Sequence, residues 1–361
     1  MKHETFLIVI PCEKVTADLK KTLVSIQKQT YKKWHVVVIL TKGTRKKFRK
    51  ITFEVDQKTR GNPSRKRNYA LISKNYSSVL FLDDDVILDP YFLEKASRIL
   101  KNKEVSAVVG PLLTPASSRF WEKVSDRIWE SGLLSLKYSP QKDPPSHKAT
   151  AGKSDSFQKE IEVQDYPCAA FVMKLIDFKK TGGFSETFFP GEDTKLCLDI
   201  TQKLGKKIIR SEKVIAYHRR RPFPFGLINQ VSRYGYQRGR FSVLFPQTSF
   251  HLIYSFPIFF VLYLIGLFGF IVYSAGDFSS SSDWIRNDRL TIDIVVCLPL
   301  VLYLFLLTRE VAIVYGKEKQ FQLTFWVGLG IFLTHVVYGI QFGRGFFSVI
   351  LSPDVRRGRR I

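Results

Sequence analysis

An α/β domain with a mostly parallel sheet, followed by an interfacial amphipathic helix and C-terminal transmembrane helices, is the architecture the sequence predicts. Three observations carry it. Up to residue 218, short apolar runs alternate with segments of helical spacing. From residue 251 onward the chain holds apolar stretches of membrane-spanning length. Between them, residues 225–245 mix Leu227, Ile228, Val231, Tyr234 and Phe241 with Arg233, Arg238 and Arg240, a composition suited to the headgroup layer. The divisions expected are an α/β domain at 1–222, an amphipathic segment at 223–250, a membrane domain at 251–343 and a basic tail at 344–361.

Phe6-Leu7-Ile8-Val9-Ile10 is a buried strand, after which Val15, Leu19, Leu23 and Ile26 recur at helical spacing. With a second strand at residues 34–40 this makes a βαβ unit, hence parallel strands and a right-handed crossover. Residues 51–55 and 79–82 are a third and a fourth strand. Between them Gly61-Asn62-Pro63-Ser64-Arg65-Lys66-Arg67-Asn68 is a turn into a basic helix start, either a diphosphate contact or a solvated loop. A helix is expected at 90–100 and a strand at 105–109, closed by Gly110-Pro111. Phe120, Trp121, Val124, Ile128 and Trp129 suggest an amphipathic helix packed on the sheet, with an acceptor or lipid contact as the alternative. The polar, Pro-rich residues 139–156 suggest a loop over the site. A strand at 168–173 leads to Gly182-Gly183-Phe184. Glu192-Asp193, acids that a first helical turn favours in any case, open a helix at 194–204. Strands at 207–209 and 214–217 end in His218 and three arginines.

The chain of 361 residues carries a formal net charge of +24 and 30 phenylalanines. With apolar spans present, that surplus points to an anionic membrane face or phosphorylated substrates, and no footprint for nucleic acid stands out. Cys12, Cys168, Cys197 and Cys297 lie far apart, without zinc or disulfide spacing.

The fourth strand ends in Asp83-Asp84-Asp85. Strands buried on both faces place ligands beyond their carboxyl ends. Three adjacent acids repel unless a cation sits among them, and oxygen ligands suit Mg or Mn. On the triplet alone, a metal site and a solvated turn stand equal.

Taken together, the motifs over residues 5–220 resemble the family 2 glycosyltransferases of the GT-A type. The resemblance rests on Ile10-Pro11, residues 23–31, Arg67-Asn68, Leu82-Asp83-Asp84-Asp85, Gly182-Gly183-Phe184, Glu192-Asp193 and His218. It implies that Asp83 and Asp85 form the D-x-D pair, with Asp85 the direct ligand of a divalent ion (Mn or Mg) on the donor diphosphate. Asp84 lies toward the ribose or sugar, and Pro11, Glu13 and Arg67 also belong to the donor side. His218 is either a third metal ligand beside Asp85 and Asp83 or a strand-end histidine. Asp193 is implied as the base that deprotonates the acceptor hydroxyl, with Glu192 orienting the site. Breaking a sugar–diphosphate bond needs such cations, attack by a hydroxyl needs such a carboxylate, and one displacement inverts the anomeric centre. One departure concerns the second strand, which relatives commonly end in an acid that reads the base. Here Val38-Ile39-Leu40 runs into Thr41-Lys42-Gly43, with Asp56 as a possible substitute.

Residues 251–275, 290–308 and 322–342 are each long enough to cross a core of about 30 Å at about 1.5 Å per residue. Asp277, Asp283 and Asp288 outweigh Arg286 and Arg289 between the first two, placing that loop outside and the basic domain in the cytoplasm. Three spans would then leave Arg356, Arg357, Arg359 and Arg360 outside, so the last segment is expected to be re-entrant or bent near its glycines and Arg344. Gln237-Arg238-Gly239-Arg240-Phe241 resembles the Q-x-x-R-W motif of processive synthases, which makes Gln237, Arg240 and Phe241 acceptor candidates; a headgroup-binding helix fits equally. Three spans are few for a polymer channel. The reading is a multi-pass enzyme of the inner (cytoplasmic) membrane, a hexosyltransferase-type, metal-dependent inverting glycosyltransferase. It would move a sugar from a nucleotide-diphosphate donor to a lipid-linked (polyprenyl) acceptor in cell-surface glycan or polysaccharide synthesis. The alternative is a non-catalytic nucleotide-sugar-binding or scaffold subunit of an envelope assembly complex.

Overall fold

The computed structural model describes residues 5–56, 62–73, 75–134, 160–276 and 283–352. The expected loop at 139–156, Asp277 and the arginine tail lie outside them. The chain forms two compact units, Met1–Ser117 with Asp143–Arg219, and Ser118–Lys142 with Arg220–Ile361.

In chain order the elements to His218 are β1 (Phe6–Cys12), α1 (Ala17–Gln27), β2 (Trp34–Leu40), β3 (Lys46–Lys47), β4 (Ile51–Val55), α2 (Pro63–Arg67) and α3 (Tyr69–Ile72). There follow β5 (Ser78–Leu82), β6 (Val86–Leu88), α4 (Phe92–Leu100), β7 (Val105–Val109), β8 (Leu112–Leu113) and α5 (Phe120–Glu130). The last are β9 (Glu160–Val163), β10 (Ala170–Lys174), α6 (Leu175–Thr181), α7 (Glu192–Leu198), β11 (Lys207–Ser211) and β12 (Ala216–His218). All but α5 belong to the first unit.

Nine strands form one sheet in the order β3-β4-β2-β1-β5-β10-β7-β11-β9. β1 pairs parallel with β2 and β5, β2 with β4, and β7 with β11. β10 runs antiparallel between β5 and β7. The unbroken apolar strands are explained by burial on both faces. Phe6, Ile8 and Ile10 pack with Leu19 and Ile26 of α1 and Phe92, Leu93 and Leu100 of α4. Leu7 and Val9 face the other way, toward Phe178 of α6 and Leu196 and Cys197 of α7. Each such side chain contributes about 1.5–3 kcal/mol relative to exposure. Thr16 caps α1, its hydroxyl accepting from the Leu19 N–H at 3.0 Å. The helix expected at 194–204 starts two residues earlier and passes into a π-helical turn at Asp199–Lys203. A small sheet, β6-β12-β8, completes the unit.

The second unit adds α8 (Phe225–Leu244), α9 (Pro246–Ser249), α10 (Leu252–Gly276), α11 (Asp283–Glu318) and α12 (Phe321–Ile350) to α5. Three stretches are long and apolar enough to cross a membrane: Tyr254–Ser274, Ile292–Glu318 and Phe321–Ile350. Two expectations are corrected here. The apolar face of α5 does not pack on the sheet: Val124 and Ile128 join Val314, Leu323, Val327 and Ile331 of α11 and α12. Gly330 permits this, since a Cβ there would lie 2.2 Å from Ile128 Cδ1. The last segment, expected to be re-entrant or bent near its glycines, is one continuous helix, α12. Its glycines serve close approach, because a Cβ at Gly345 would lie 1.9 Å from the Tyr236 carbonyl oxygen and one at Gly339 2.2 Å from that of Pro257. α8 supplies the matching gap: a Cβ at Gly239 would stand 2.0 Å from the Phe342 carbonyl oxygen. Polar ties fasten α5 to α11. Arg127 Nε meets Glu318 Oε1 at 2.6 Å, and Glu310 Oε2 accepts the Gly132 N–H at 2.9 Å just beyond α5.

Candidate active site

Three consecutive carboxylates are accommodated because each turns to a different element. Past the end of β5, the Asp83 N–H donates to the Ala169 carbonyl at 2.9 Å, and the Val86 N–H donates back to the Asp83 carbonyl at 3.3 Å. The Thr22 hydroxyl of α1 donates to the Asp84 carbonyl at 3.0 Å. Around this turn the side chains diverge. Asp83 Oδ1 accepts from Arg67 at 2.6 Å, Asp84 Oδ2 lies 2.8 Å from the Cys12 thiol, and Asp85 Oδ1 lies 3.2 Å from His218 Nε2. The last contact follows from topology: His218 of β12 is the cross-strand partner of Val86, the residue after Asp85.

Arg67 is the hinge of the site. Its second arm donates to Glu192 Oε1 at 3.1 Å, with both side chains buried. Its ring-facing side lies over Phe184 at 5.4 Å. Burial alone would favour the neutral guanidine, but Asp83 and Glu192 reverse this and hold the charge more firmly than usual. Burial pushes the Glu192 carboxyl up, with Arg67 opposing it. Next to Arg67, Asn68 Nδ2 donates to the Phe184 carbonyl at 2.9 Å and Asn68 Oδ1 accepts the Phe184 N–H at 2.8 Å. Gly183 must be glycine for this: its φ is +89° and a Cβ would lie 2.6 Å from Asn68 Oδ1. Arg67-Asn68, Gly182-Gly183-Phe184, Glu192 and Asp83, scattered in sequence, are thus one bonded cluster.

Asp193 stands beside this cluster, half-buried in the first turn of α7, where Oδ1 accepts the Thr194 N–H at 2.8 Å. Glu192 is committed to Arg67 and Asp193 is not part of that pair. Pro11 is half-buried in β1 opposite Ile39. Glu13 is exposed and meets Lys42 Nζ at 3.3 Å. Gln237 and Phe241 are buried in α8, and Arg240 donates to Gln237 Oε1 at 3.4 Å. Gln237 Nε2 meets no partner among the described residues.

Among the described residues no three His, Cys, Asp or Glu side chains converge as a ready metal cage. Asp85 and His218, side by side, form a two-ligand set. Those oxygen and nitrogen donors are of types that could hold a Mg or Mn ion with few protein ligands. Asp83, in contrast, is engaged by Arg67.

Two residues that the sequence did not single out complete the corner. Burial, reinforced by the bond to Asp84, pushes the Cys12 thiol up to about 12, so it stays protonated and positions Asp84. Lys66, read from sequence only as part of a basic run, is buried, with Nζ 2.6 Å from both the Cys12 carbonyl and Thr41 Oγ1. Adjacent positions on the short helix α2 send Lys66 to the ends of β1 and β2 and Arg67 to Asp83, a divergence that no local pattern announces.

Residues 7–174 match the family model described as Glycosyl transferase family 2. No curated protein matches the chain in sequence. Among solved structures, the mannosyltransferase PcManGT from Pyrobaculum calidifontis, in complex with GDP-Man and Mn2+, is 13% identical, with 96% of this chain and 88% of that one covered and a TM-score of 0.48. TarS from S. aureus is 15% identical with a TM-score of 0.42; the match covers 66% of this chain but spans only 39% of TarS. TarS 1–349 in complex with UDP is also 15% identical, with 65% of each chain covered and a TM-score of 0.42. Residues 7–174 thus match a family 2 glycosyltransferase domain, in a chain whose described residues include three helices long and apolar enough to cross a membrane.

Proposed function

We propose that the protein is a membrane-bound, metal-dependent, inverting glycosyltransferase that moves a sugar from a nucleotide-diphosphate donor to a lipid-linked acceptor. The observation that carries this is the Arg67 bridge, which ties Asp83 of the donor corner to Glu192 of the acidic pair. Donor and acceptor carboxylates so become parts of one site. Asp85 and His218 would hold the divalent ion, which when bound neutralises charge on the leaving diphosphate. Asp83, fixed by Arg67, and Asp84, fixed by Cys12, line the donor side with Pro11 and Glu13. Asp193 takes the proton from the attacking acceptor hydroxyl as the oxygen bonds to the anomeric carbon and the diphosphate leaves on the opposite face. Glu192 positions Asp193 by anchoring the start of α7. Gln237, Arg240 and Phe241 are proposed for the lipid-linked acceptor. With a net charge of +24 and three apolar helices, the protein suits the cytoplasmic membrane, its α/β domain facing the cytoplasm.

The test is release of nucleotide from a panel of nucleotide sugars by the detergent-solubilised protein, with Mn or Mg, with and without lipid extract. Turnover of one donor only with extract supports the proposal. Asp193→Asn is expected to lower turnover about 10²–10⁴-fold, and Asp85→Asn to abolish metal-stimulated turnover. Unchanged transfer in either variant overturns the assigned role. Donor binding without any turnover would favour a binding subunit instead.

A further inference from the structure

By length and composition α12 can cross a bilayer, yet two polar helices are packed along it. α8 runs beside it in the same direction. A Cβ at Gly235 would lie 2.6 Å from the Tyr338 carbonyl oxygen and one at Gly239 2.0 Å from that of Phe342, so the two helices advance in step. Leu227 and Val231, earlier in α8, share a cluster with Leu323, Val327 and Ile331, and the Tyr236 hydroxyl donates to Ser348 Oγ at 3.4 Å. α8 therefore accompanies α12 along nearly its whole length. It carries Arg233, Arg238 and Arg240, and Arg233, two residues before Gly235, stands level with the middle of α12. α5, with Lys123, Asp126, Arg127 and Glu130, packs on the first half of α12 through Ile128 at Gly330. A crossing segment of about 20 residues would have to come from this same stretch. It would take α8 and its arginines into the hydrocarbon, where such charges are rare and costly.

α10 and α11 are placed differently. Their glycine and ring contacts with α12 fall at Pro257, Ile258, Phe260 and Val261 of α10 and at Tyr303 and Val311 of α11. Beyond these, the two helices continue side by side, tied by the Tyr263 hydroxyl, which donates to the Val296 carbonyl at 2.9 Å and accepts the Leu300 N–H at 3.1 Å. Their apolar side chains there are open, as at Ile271 and Val295. Half of the apolar stretch of α12 is buried inside the unit, against 22% for α10 and 6% for α11. What α12 does expose is one-sided: Phe321, Phe325, Leu329, Ile340 and Phe347 recur at helical spacing. Arg344 is exposed on the same side, tolerable where its long stem lets the charge reach headgroups.

Resting on the membrane-bound reading above, we infer that α12 does not cross the bilayer. With α5 and α8 it forms a platform in the headgroup layer, its exposed apolar side toward the acyl chains, and among the described residues α10 and α11 alone cross, as a hairpin. The charge rule for membrane proteins agrees. Three crossings would put Arg356, Arg357, Arg359 and Arg360 across the membrane from α8, whereas two keep them on its side.

The experiment labels the full-length protein in intact bacterial cells with a membrane-impermeant maleimide, before and after permeabilisation. Cys12, Cys168 and Cys197 are buried, so Cys297→Ser clears the background. One cysteine is then introduced at a time: Asn229→Cys in α8, Ser280→Cys between α10 and α11, or Ser352→Cys after α12. Ser280→Cys is expected to label in intact cells, and Asn229→Cys and Ser352→Cys only after permeabilisation. Labelling of Ser352→Cys together with Ser280→Cys, and opposite to Asn229→Cys, overturns the inference, since α12 then crosses. Alkaline phosphatase or green fluorescent protein fused after Ile361 asks the same question where a cysteine variant fails to accumulate: active phosphatase overturns the inference and fluorescence supports it. If Asn229→Cys and Ser352→Cys label from outside and Ser280→Cys does not, the inference stands and the proposed cytoplasmic placement falls. If all three label from one side, the hairpin does not cross, and the membrane-spanning reading falls together with this inference.

Discussion

The two units of the molecule use opposite rules for what they bury. In the first, apolar side chains fill two layers around a sheet, and the buried Arg67 is held by Asp83 and the buried Glu192. In the second, apolar side chains point outward as readily as inward. Phe268 is 69% exposed and Leu298 60%. Between its helices glycine backbone comes against backbone at Gly239, Gly339 and Gly345. Water explains the first arrangement, since burial of apolar surface drives the sheet to pack. In the lipid surround that the proposed membrane location implies, that drive between helices is absent and close backbone approach would hold them.

The comparison breaks most visibly if a buried charge in the first unit proves dispensable. Arg67→Ala would leave the buried Glu192 carboxylate, and Asp83 beside it, without their shared cation, an expected loss of about 3 kcal/mol in denaturant unfolding. Arg67→Lys should recover only part, because an ammonium lacks the two-armed fork. Next in size is the glycine rule of the second unit. Gly239→Ala sets a Cβ about where the Phe342 carbonyl oxygen stands and should cost about 1–3 kcal/mol, read as easier unfolding or proteolysis between α8 and α12. Gly266→Ala, with nothing within 4 Å of its Cβ, should stay within about 0.5 kcal/mol of the parent; equal effects at both positions would refute the rule.

The smallest effect sharpens the picture of the acidic corner. Burial and Asp84 hold the folded Cys12 thiol at about 12, against 9.0 for an ordinary one. Between those values the folded chain keeps a proton that the unfolded chain has lost. The contribution is therefore whole below pH 9 and declines as pH rises toward 12. Cys12→Ser should lack that decline, shown by comparing unfolding midpoints of the two proteins across the alkaline range.

Much of the first unit was legible because its signals are periodic or local. Continuous apolar runs gave β1, β2 and β5. The partition of Asp83, Asp84 and Asp85 among Arg67, Cys12 and His218 was not legible, because it depends on which elements reach the corner in space. The direction of Lys66 was hidden for the same reason. In the second unit hydropathy located the helices but could not tell their faces apart. The glycines of α12 were read as sites of a bend, and in the structure Gly330, Gly339 and Gly345 permit close contact. The apolar face of α5 was visible, but not its choice of α11 and α12 over the sheet.

The reversed strand β10 has a consequence for how the site comes into being. Leu82, next to Asp83, pairs with Ala170, and the Asp83 N–H rests on the Ala169 carbonyl. Contacts between residues so far apart along the chain form slowly, since a long loop must close before they gain anything. The acidic corner therefore cannot be assembled by its own neighbourhood. During synthesis the segment Asp83-Asp84-Asp85 has to wait for β10, and then for Glu192 and His218, to emerge. A nascent or truncated chain ending before Ala169 would carry the whole acidic motif and still lack the geometry that makes it a site.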